Sequence, residues 1–370
     1  MKPWPTVTLH DISRPKQWKT INKADLRDEG YPVYGANGVI GYYDDYNHEH
    51  PTVLIGCRGS CGSVHVSAPK AWVTGNAMAL DDLDTVRVDQ RFLVYALRAD
   101  GLQAAVTGSS QPQITRTSLR HVRIPLPPIE EQRRIAAVLD AADALRAKRR
   151  EALAKLDTLT QAIFIDMFGS PGDNPRGWPV SPLIELVDPE RPITYGILKP
   201  GDDIPDGVPY VRVVDMAGGR VLGSGLRRTT HEIAHQYRRS TLAEGDLLLS
   251  IRGHVGRMAQ VRGELAGANI TQDTARLAIV GAQPTYVLAC LQAEESQRWM
   301  ANFTKGAAVR GINLTDVKKL PVPVPPAELQ RAFSERAARA AAQAGLCGKA
   351  QARLDGLFAS LQQRAFRGEL

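Results

Sequence analysis

Apolar residues recur every seven positions after Pro125-Leu126-Pro127-Pro128. One row reads Ile135, Ala142, Arg149, Leu156 and Ile163, the other Val138, Leu145, Ala152, Leu159 and Asp166, and eight of these ten are apolar. A heptad sustained over that length predicts a helix carrying a coiled-coil seam. Its start is marked by the prolines, which suit a first helical turn, and by Glu130 and Glu131 near the positive end of the helix dipole. Its stop is marked by Gly169-Ser170-Pro171-Gly172 after Met167-Phe168. At about 1.5 Å per residue, some 40 residues make a rod of roughly 60 Å, and a lone rod with one apolar stripe needs a partner helix.

The chain supplies that partner. Pro323-Val324-Pro325-Pro326 leads into Ala327-Glu328-Leu329-Gln330 and a second heptad. Its rows are Phe333, Ala340, Cys347, Leu354, Leu361 and Ala337, Ala344, Gln351, Phe358, Ala365, with nine of ten apolar. Gly345 and Gly348 interrupt the pattern, each costing about 1 kcal/mol relative to alanine in a helix, so a break or kink is expected there.

The segments before the two rods read as short β elements between turns. Val53–Ile55, Val64–Val66, Val86–Val88 and Val122–Ile124 are β-like in the first, and Val208–Val214, Leu247–Ile251 and Leu277–Val280 in the second. A helix is predicted over Arg91–Leu102 and its counterpart over Thr285–Phe303. The expected class is mixed α/β with a twisted sheet in each globule. The two halves repeat one another. Trp4-Pro5-Thr6-Val7 is echoed by Trp178-Pro179-Val180-Ser181, and Val53 to Gly59 by Leu247 to Gly253. Gly75-Asn76 is echoed by Ala268-Asn269, Gly108-Ser109-Ser110 by Gly306-Ala307-Ala308, and the proline run at 125 by that at 323. The offset is 174 at Trp4 and Trp178, 194 at Val53 and Leu247, and 198 at Pro125 and Pro323. The second copy therefore carries roughly twenty extra residues, expected somewhere in 190–235. The order is globule over 1–127, spacer helix over 128–168, globule over 169–325 and spacer helix over 326–370.

Composition narrows the class. The chain has 370 residues, a formal net charge of +7 and four cysteines. The charge fits a polyanionic partner. No C-x-x-C pair points to a zinc ribbon, no apolar run reaches membrane-spanning length, and the N-terminus lacks a signal-peptide core. A cytoplasmic protein with reduced thiols, and no membrane partner, is expected.

Catalytic motifs are scarce. His231-Glu232-Ile233-Ala234-His235 has the spacing of a zinc-peptidase helix. Its polar flanks, Thr229-Thr230 and Gln236-Tyr237-Arg238-Arg239, fit a solvated surface helix better, and no third ligand is placed. A zinc-dependent hydrolase or nuclease using His231, Glu232 and His235 is the competing reading, and a coiled-coil scaffold with no DNA role is a third. There is no phosphate-binding P-loop and no Asn/Asp-Pro-Pro-aromatic tetrapeptide for gripping a flipped adenine. No catalytic or metal residue is assigned. Basic and amide residues, in contrast, recur at equivalent places. Arg58 and Arg252 follow the repeated strand, with His254 and Arg257 just beyond and Arg227 and Arg228 upstream. Gln111, Gln113 and Arg116 are matched by Arg310 and Asn313. Asn37 and Tyr42 lie in the glycine-punctuated stretch Tyr34-Gly35-Ala36-Asn37-Gly38 to Tyr43. Arginine pairs with guanine and Asn or Gln with adenine in the major groove, while cations also neutralise phosphates. These thirteen residues are the candidate DNA contacts.

Over its whole length the chain resembles the DNA-specificity (S) subunits of type I restriction–modification systems. The resemblance rests on the duplicated globule, on Ile124-Pro125-Leu126-Pro127-Pro128-Ile129-Glu130-Glu131-Gln132-Arg133-Arg134-Ile135, on the heptad ending Ile163 to Gly169, and on Gly245 to Gly253. It implies two target recognition domains, each reading half of a split double-stranded DNA site, separated by two long antiparallel coiled-coil helices. It implies that the helices dock two modification subunits, which carry S-adenosylmethionine and methylate adenine at N6. Motor–nuclease subunits using ATP and magnesium join them, and the S chain itself holds no cofactor and performs no chemistry. The coiled-coil and docking positions are then Ile135, Val138, Leu145, Leu156, Leu159, Ile163, Phe333, Leu354, Phe358 and Leu361.

Overall fold

A computed structural model describes residues 4–99, 102–108, 111–306 and 310–370, apart from the Asp157 side chain. The repeated motifs at Ser109-Ser110 and Ala307-Ala308 lie outside the described residues. The chain forms two compact units, Met1–Arg150 with Lys349–Leu370, and Glu151–Gly348. Each takes in one globule and a piece of both long helices.

In the first unit an antiparallel four-stranded sheet runs in the order Arg14–Gln17, Ala77–Asp81, Val53–Gly56, Val64–Val66. Beside it a three-stranded sheet pairs Tyr31–Gly35 antiparallel with Gly38–Tyr43 and parallel with Trp72–Val73. The helix Gln90–Ala99 buries Phe92, Leu93 and Leu97 in the same core as Val53, Ile55, Met78 and Leu80. The second unit repeats this plan. Its main sheet contains Thr194–Tyr195, Thr274–Leu277, Leu247–Ser250 and Met258–Gln260 in that order, and its smaller one centres on Val208–Val211 between Arg227–Thr229 and Asn269–Ile270.

The sheet register corrects the sequence alignment of the two halves. Val33 and Tyr34 pair with Trp72 and Val73, while Tyr210 and Val211 pair with Asn269 and Ile270. Asn269 therefore corresponds to Trp72, not to Asn76. The extra residues also find their place. The first unit turns between its paired strands at Ala36-Asn37, whereas the second uses 212–226, whose Gly219–Val221 and Met216–Ala217 extend the main sheet. Other expectations shift as well. Val86–Val88 is not a strand: Val86 is 83% exposed in a turn and Val88 is buried in the core, because the Arg87 and Val88 N–H groups bond back to the Asp84 carbonyl at 3.2 and 2.9 Å instead of to a neighbouring strand. The strand expected at Leu277–Val280 lies at Thr274–Leu277. The helix expected over Thr285–Phe303 is two, Pro284–Gln292 and Glu294–Asn302, separated by an extended Ala293.

Both long helices form, Ile129–Phe168 and Ala327–Arg367. Gly345 and Gly348 cause no break: the second helix is unbroken, and a Cβ at either position would meet nothing within 4 Å. In the first unit Arg146 Nε meets Asp355 Oδ1 at 2.6 Å, its guanidinium lies 4.2 Å from the Phe358 ring centroid, and Arg134 Nη2 donates to the Leu370 carbonyl at 3.0 Å. The hydrogen bond from Arg146, then that from Gln351, holds the Asp355 carboxyl below the usual carboxylate range. As numbers rise in one helix they fall in the other, so these segments run antiparallel. In the second unit Phe164, Phe168, Tyr286 and Phe333 cluster with ring centroids 4.9 to 5.7 Å apart.

The seam itself needs one correction. Both rows of the second helix are buried or half-buried, Phe333, Leu354, Phe358 and Leu361 among them, and so is the first row of the first helix, including Ile135, Leu156 and Ile163. The other row predicted in the first helix, Val138, Leu145, Ala152, Leu159 and Asp166, is exposed, and Leu145 is 58% accessible. Its place is taken by Leu139, Arg146, Leu153, Thr160 and Met167, one residue further on. The physical reason is that positions three and four residues after a seam residue flank it on either side. This helix has an apolar side chain on both flanks.

A buried glutamine joins each globule to its rod. Gln132 Oε1 accepts from Asp89 N–H at 2.9 Å, and Nε2 donates to the Arg87 and Pro127 carbonyls, both at 2.8 Å. Gln330 accepts from Gln283 N–H at 2.8 Å and donates to the Pro325 carbonyl at 2.7 Å. Gln132→Ala or Gln330→Ala would strand buried backbone groups. Each is expected to lose at least about 1–3 kcal/mol in denaturant unfolding; an unchanged midpoint would show that these bonds contribute nothing.

Candidate nucleic-acid interface

In the first unit the buried strand Val53–Gly56 ends in Cys57-Arg58. Arg58 forms an isolated antiparallel bridge with Gln113, and Ile114 N–H donates to the Cys57 carbonyl at 3.0 Å. The turn 57–63 folds back through Gly62 N–H to the Gly56 carbonyl at 2.9 Å and Gly56 N–H to the Ser63 carbonyl at 2.8 Å. A Cβ at Gly56 would lie 2.6 Å from the Ala36 carbonyl oxygen, so only glycine fits there. Ser63 Oγ donates to that same carbonyl, which ties the Ala36-Asn37 turn to the Arg58 loop. Asn37, Arg58, Gln111 and Arg116 are exposed and Gln113 is half-buried. Tyr42 lies along the hairpin strand, bridged to Arg27 through bonds of 2.9 and 3.0 Å. Cys57 is buried, which pushes its thiol up to about 12 and leaves it unreactive.

The second unit builds the same loop pair. Arg252 bridges Gly311, Gly253 N–H donates to the Arg310 carbonyl and Ile312 N–H to the Ile251 carbonyl, both at 2.9 Å. Gly256 N–H donates to the Ser250 carbonyl at 3.0 Å, and Ser250 N–H to the Arg257 carbonyl at 2.8 Å. Residue for residue these match Gly62 to Gly56 and Gly56 to Ser63. The side chains of Arg252, His254, Arg257, Arg310 and Asn313 are all exposed. Arg227 and Arg228 are not gathered here. They sit on the smaller sheet, and Arg228 Nη1 donates to the Gly207 carbonyl at 2.8 Å.

Sequence reasoning missed the residues that shape these loops, Gly56 and Ser63, because their bonds run to backbone groups distant in sequence. It also read Gln132 only as part of a helix start, although Glu-Glu-Gln and Glu-Leu-Gln share this glutamine as well as their first glutamate.

The His-Glu-x-x-His segment forms a short surface helix, His231–Gln236, capped by Thr230 Oγ accepting from Ile233 N–H at 3.1 Å. His231, Glu232 and His235 are exposed, and His231 Nε2 faces the Asp206 carbonyl at 3.3 Å. Among the described residues no group of three or more His, Cys, Asp or Glu side chains is placed to hold a metal ion. An open groove of about 1480 Å³ in the second unit is lined by alanines, glycines and Leu288 with Arg220, Arg257 and Arg262, and Asp166 is its one carboxylate among the described residues. That lining offers no acid–base pair.

The family model described as the type I restriction modification DNA specificity domain matches residues 1–155. The specificity subunit of the type I restriction enzyme EcoBI from Escherichia coli is 28% identical over 378 residues, covering 92% of this chain and 75% of that protein. The chain is thus similar, along most of its length, to the specificity subunits of type I restriction enzymes. The fold agrees: the S subunit of a type I system from M. genitalium superposes with a TM-score of 0.59 at 19% identity over 99% of both chains. A chain from a structure of type I complex assembly and conformational transition gives 0.61 at 19% identity, over 100% of this chain and 99% of that one. Among the described residues, no helix is long and apolar enough to cross a membrane.

Proposed function

We propose that this chain is a type I restriction–modification specificity subunit, which reads a bipartite, asymmetric double-stranded DNA site, one half with each globule, and docks two modification subunits through its long helices. One observation carries the reading. The same loop pair, with an exposed arginine at the end of a buried strand bridged to a second polar loop, is built twice in one chain. Arg58, Gln111, Gln113 and Arg116, with Asn37 and Tyr42, face one half-site; Arg252, His254, Arg257, Arg310 and Asn313 face the other. Arg227 and Arg228 contribute to the field around the second half-site rather than to base contacts. The helices act as the spacer, and the outer apolar flank of Val138, Leu145 and Leu159 is the docking strip. S-adenosylmethionine for adenine-N6 methylation belongs to the modification subunits, and ATP and magnesium to the motor–nuclease subunits that complete the complex in the cytoplasm.

Methylome sequencing of a host expressing this chain with its modification subunits tests the whole reading. The expected result is one methylated adenine motif made of two defined halves around an unspecified spacer. Leu145→Asp should abolish that methylation without lowering the melting temperature, since the side chain is exposed. A continuous motif, or no motif with the wild-type chain, would overturn the proposal.

A further inference from the structure

The hairpin beside the Arg58 loop carries an unusual pair of side chains. Val39 is 50% and Ile40 49% exposed, next to Tyr42 on the same strand. The pairing register jumps from Val33 with Gly41 to Tyr34 with Val39, which leaves Ile40 without a direct partner. That is a β-bulge, a device that re-aims side chains at the edge of a sheet. Ile40 leans over Gly35, where a Cβ would come 2.9 Å from its Cγ2, so Gly35 leaves the space this side chain occupies. The tip is fixed as well. Gly38 takes φ +101°, a left-handed conformation, and Ser63 Oγ holds the Ala36 carbonyl to the arginine loop. Two half-exposed branched aliphatic side chains thus follow Asn37 on a hairpin whose turn is tied through Ser63 to the Arg58 loop.

We propose that Val39 and Ile40 form an apolar reader of thymine methyl groups in the half-site bound by the first unit. The inference rests on the DNA-reading role proposed above and extends it to residues that carry no polar atoms. The occupant follows from chemistry. The exposed cations at Arg58 and Arg116 favour a polyanion, and within the major groove the thymine C5-methyl is the apolar group a base presents. A protein partner has no reason to place its own apolar surface beside those cations. In the second unit the corresponding connection is the longer 212–226 segment, which exposes Val214 and Leu222 on a different frame, so the proposal concerns the half-site of the first unit.

The test uses the full chain and a duplex selected by it from a random pool. Each thymidine of that duplex is replaced in turn by deoxyuridine, which removes the methyl and leaves the base pair intact. In one half-site, at least one replacement should weaken wild-type binding by about fourfold, the value of one buried methyl. A Val39→Ala, Ile40→Ala double variant should melt like the wild type yet bind the thymidine and deoxyuridine duplexes equally. Indifference of the wild-type chain to every replacement, a selected site without thymine, or a variant that keeps the discrimination would each overturn the proposal. Failure differs for the underlying reading: if no duplex is enriched at all, the DNA-reading role itself falls.

Discussion

Replacing Phe333 by alanine is expected to destabilise the second unit by about 3–5 kcal/mol, the range for removing a buried phenylalanine side chain. Phe333 is fully buried where the second long helix begins. Its ring packs edge-on against Phe164 and Phe168, at 5.7 Å from each, and both of those pack against Tyr286 of the globule at 5.5 and 4.9 Å. Four rings from both helices and the globule share one cluster, so the cavity cannot be closed by moving one element alone. Edge-to-face pairs of this kind add about 0.5–1.5 kcal/mol each beyond the area they bury. The measurement is urea unfolding followed by a probe in the second unit, because a chain with two compact units need not unfold in one step. Leu346→Ala is the control. Its side chain lies on the same helix but is exposed, so a change within about 0.5 kcal/mol is expected. Equal effects of the two substitutions would mean that the aromatic cluster does not fasten helix to globule.

That cluster also shows what the sequence makes legible. Phe333, Phe358 and Ala365 fall on a heptad that any reader of the chain can find, and all are buried. The period works because it is a local property, set by side-chain direction on one helix. The first helix has the same period but two apolar flanks, and periodicity alone cannot say which flank meets the partner. The choice of Leu139 over Val138, and of Arg146 over Leu145, is made by tertiary packing. The glycines at 345 and 348 mislead for a similar reason, since a local cost of about 1 kcal/mol each is overridden by the helix on either side.

The candidate site divides in the same way. Arg58 and Arg252 were visible because each ends a repeated apolar strand. Their bridges to Gln113 and Gly311 are contacts between residues more than fifty positions apart, which no local pattern reveals. Ala268-Asn269 was aligned with Gly75-Asn76 on letters alone, and the parallel pairing of Tyr210 with Asn269 moves it. Arg227 and Arg228 looked close to the loop in sequence, yet strand pairing carries them to a different sheet.

Arg252→Ala is expected to weaken binding to the cognate duplex by about 10–100-fold, the equivalent of about 1–3 kcal/mol for a bidentate contact to a base. The argument starts from what the residue does not do for the fold. Its bridge to Gly311 and the neighbouring bonds at Gly253 and Ile312 are all main-chain, and its side chain is exposed. Alanine keeps those bonds, so the melting temperature should hold. A base-reading arginine and a phosphate-binding one then part company. Loss of a base contact relaxes specificity at one position, whereas loss of a phosphate contact weakens every duplex alike and lowers the salt slope by about one. Gel shifts against the cognate duplex and against single-base variants, repeated at two salt concentrations, separate the two. Arg58→Ala should behave in the same way for the other half-site, because the same main-chain frame holds it. If either variant instead melts several degrees lower while binding its site normally, that arginine is structural and the repeated loop pair loses its role as the DNA reader.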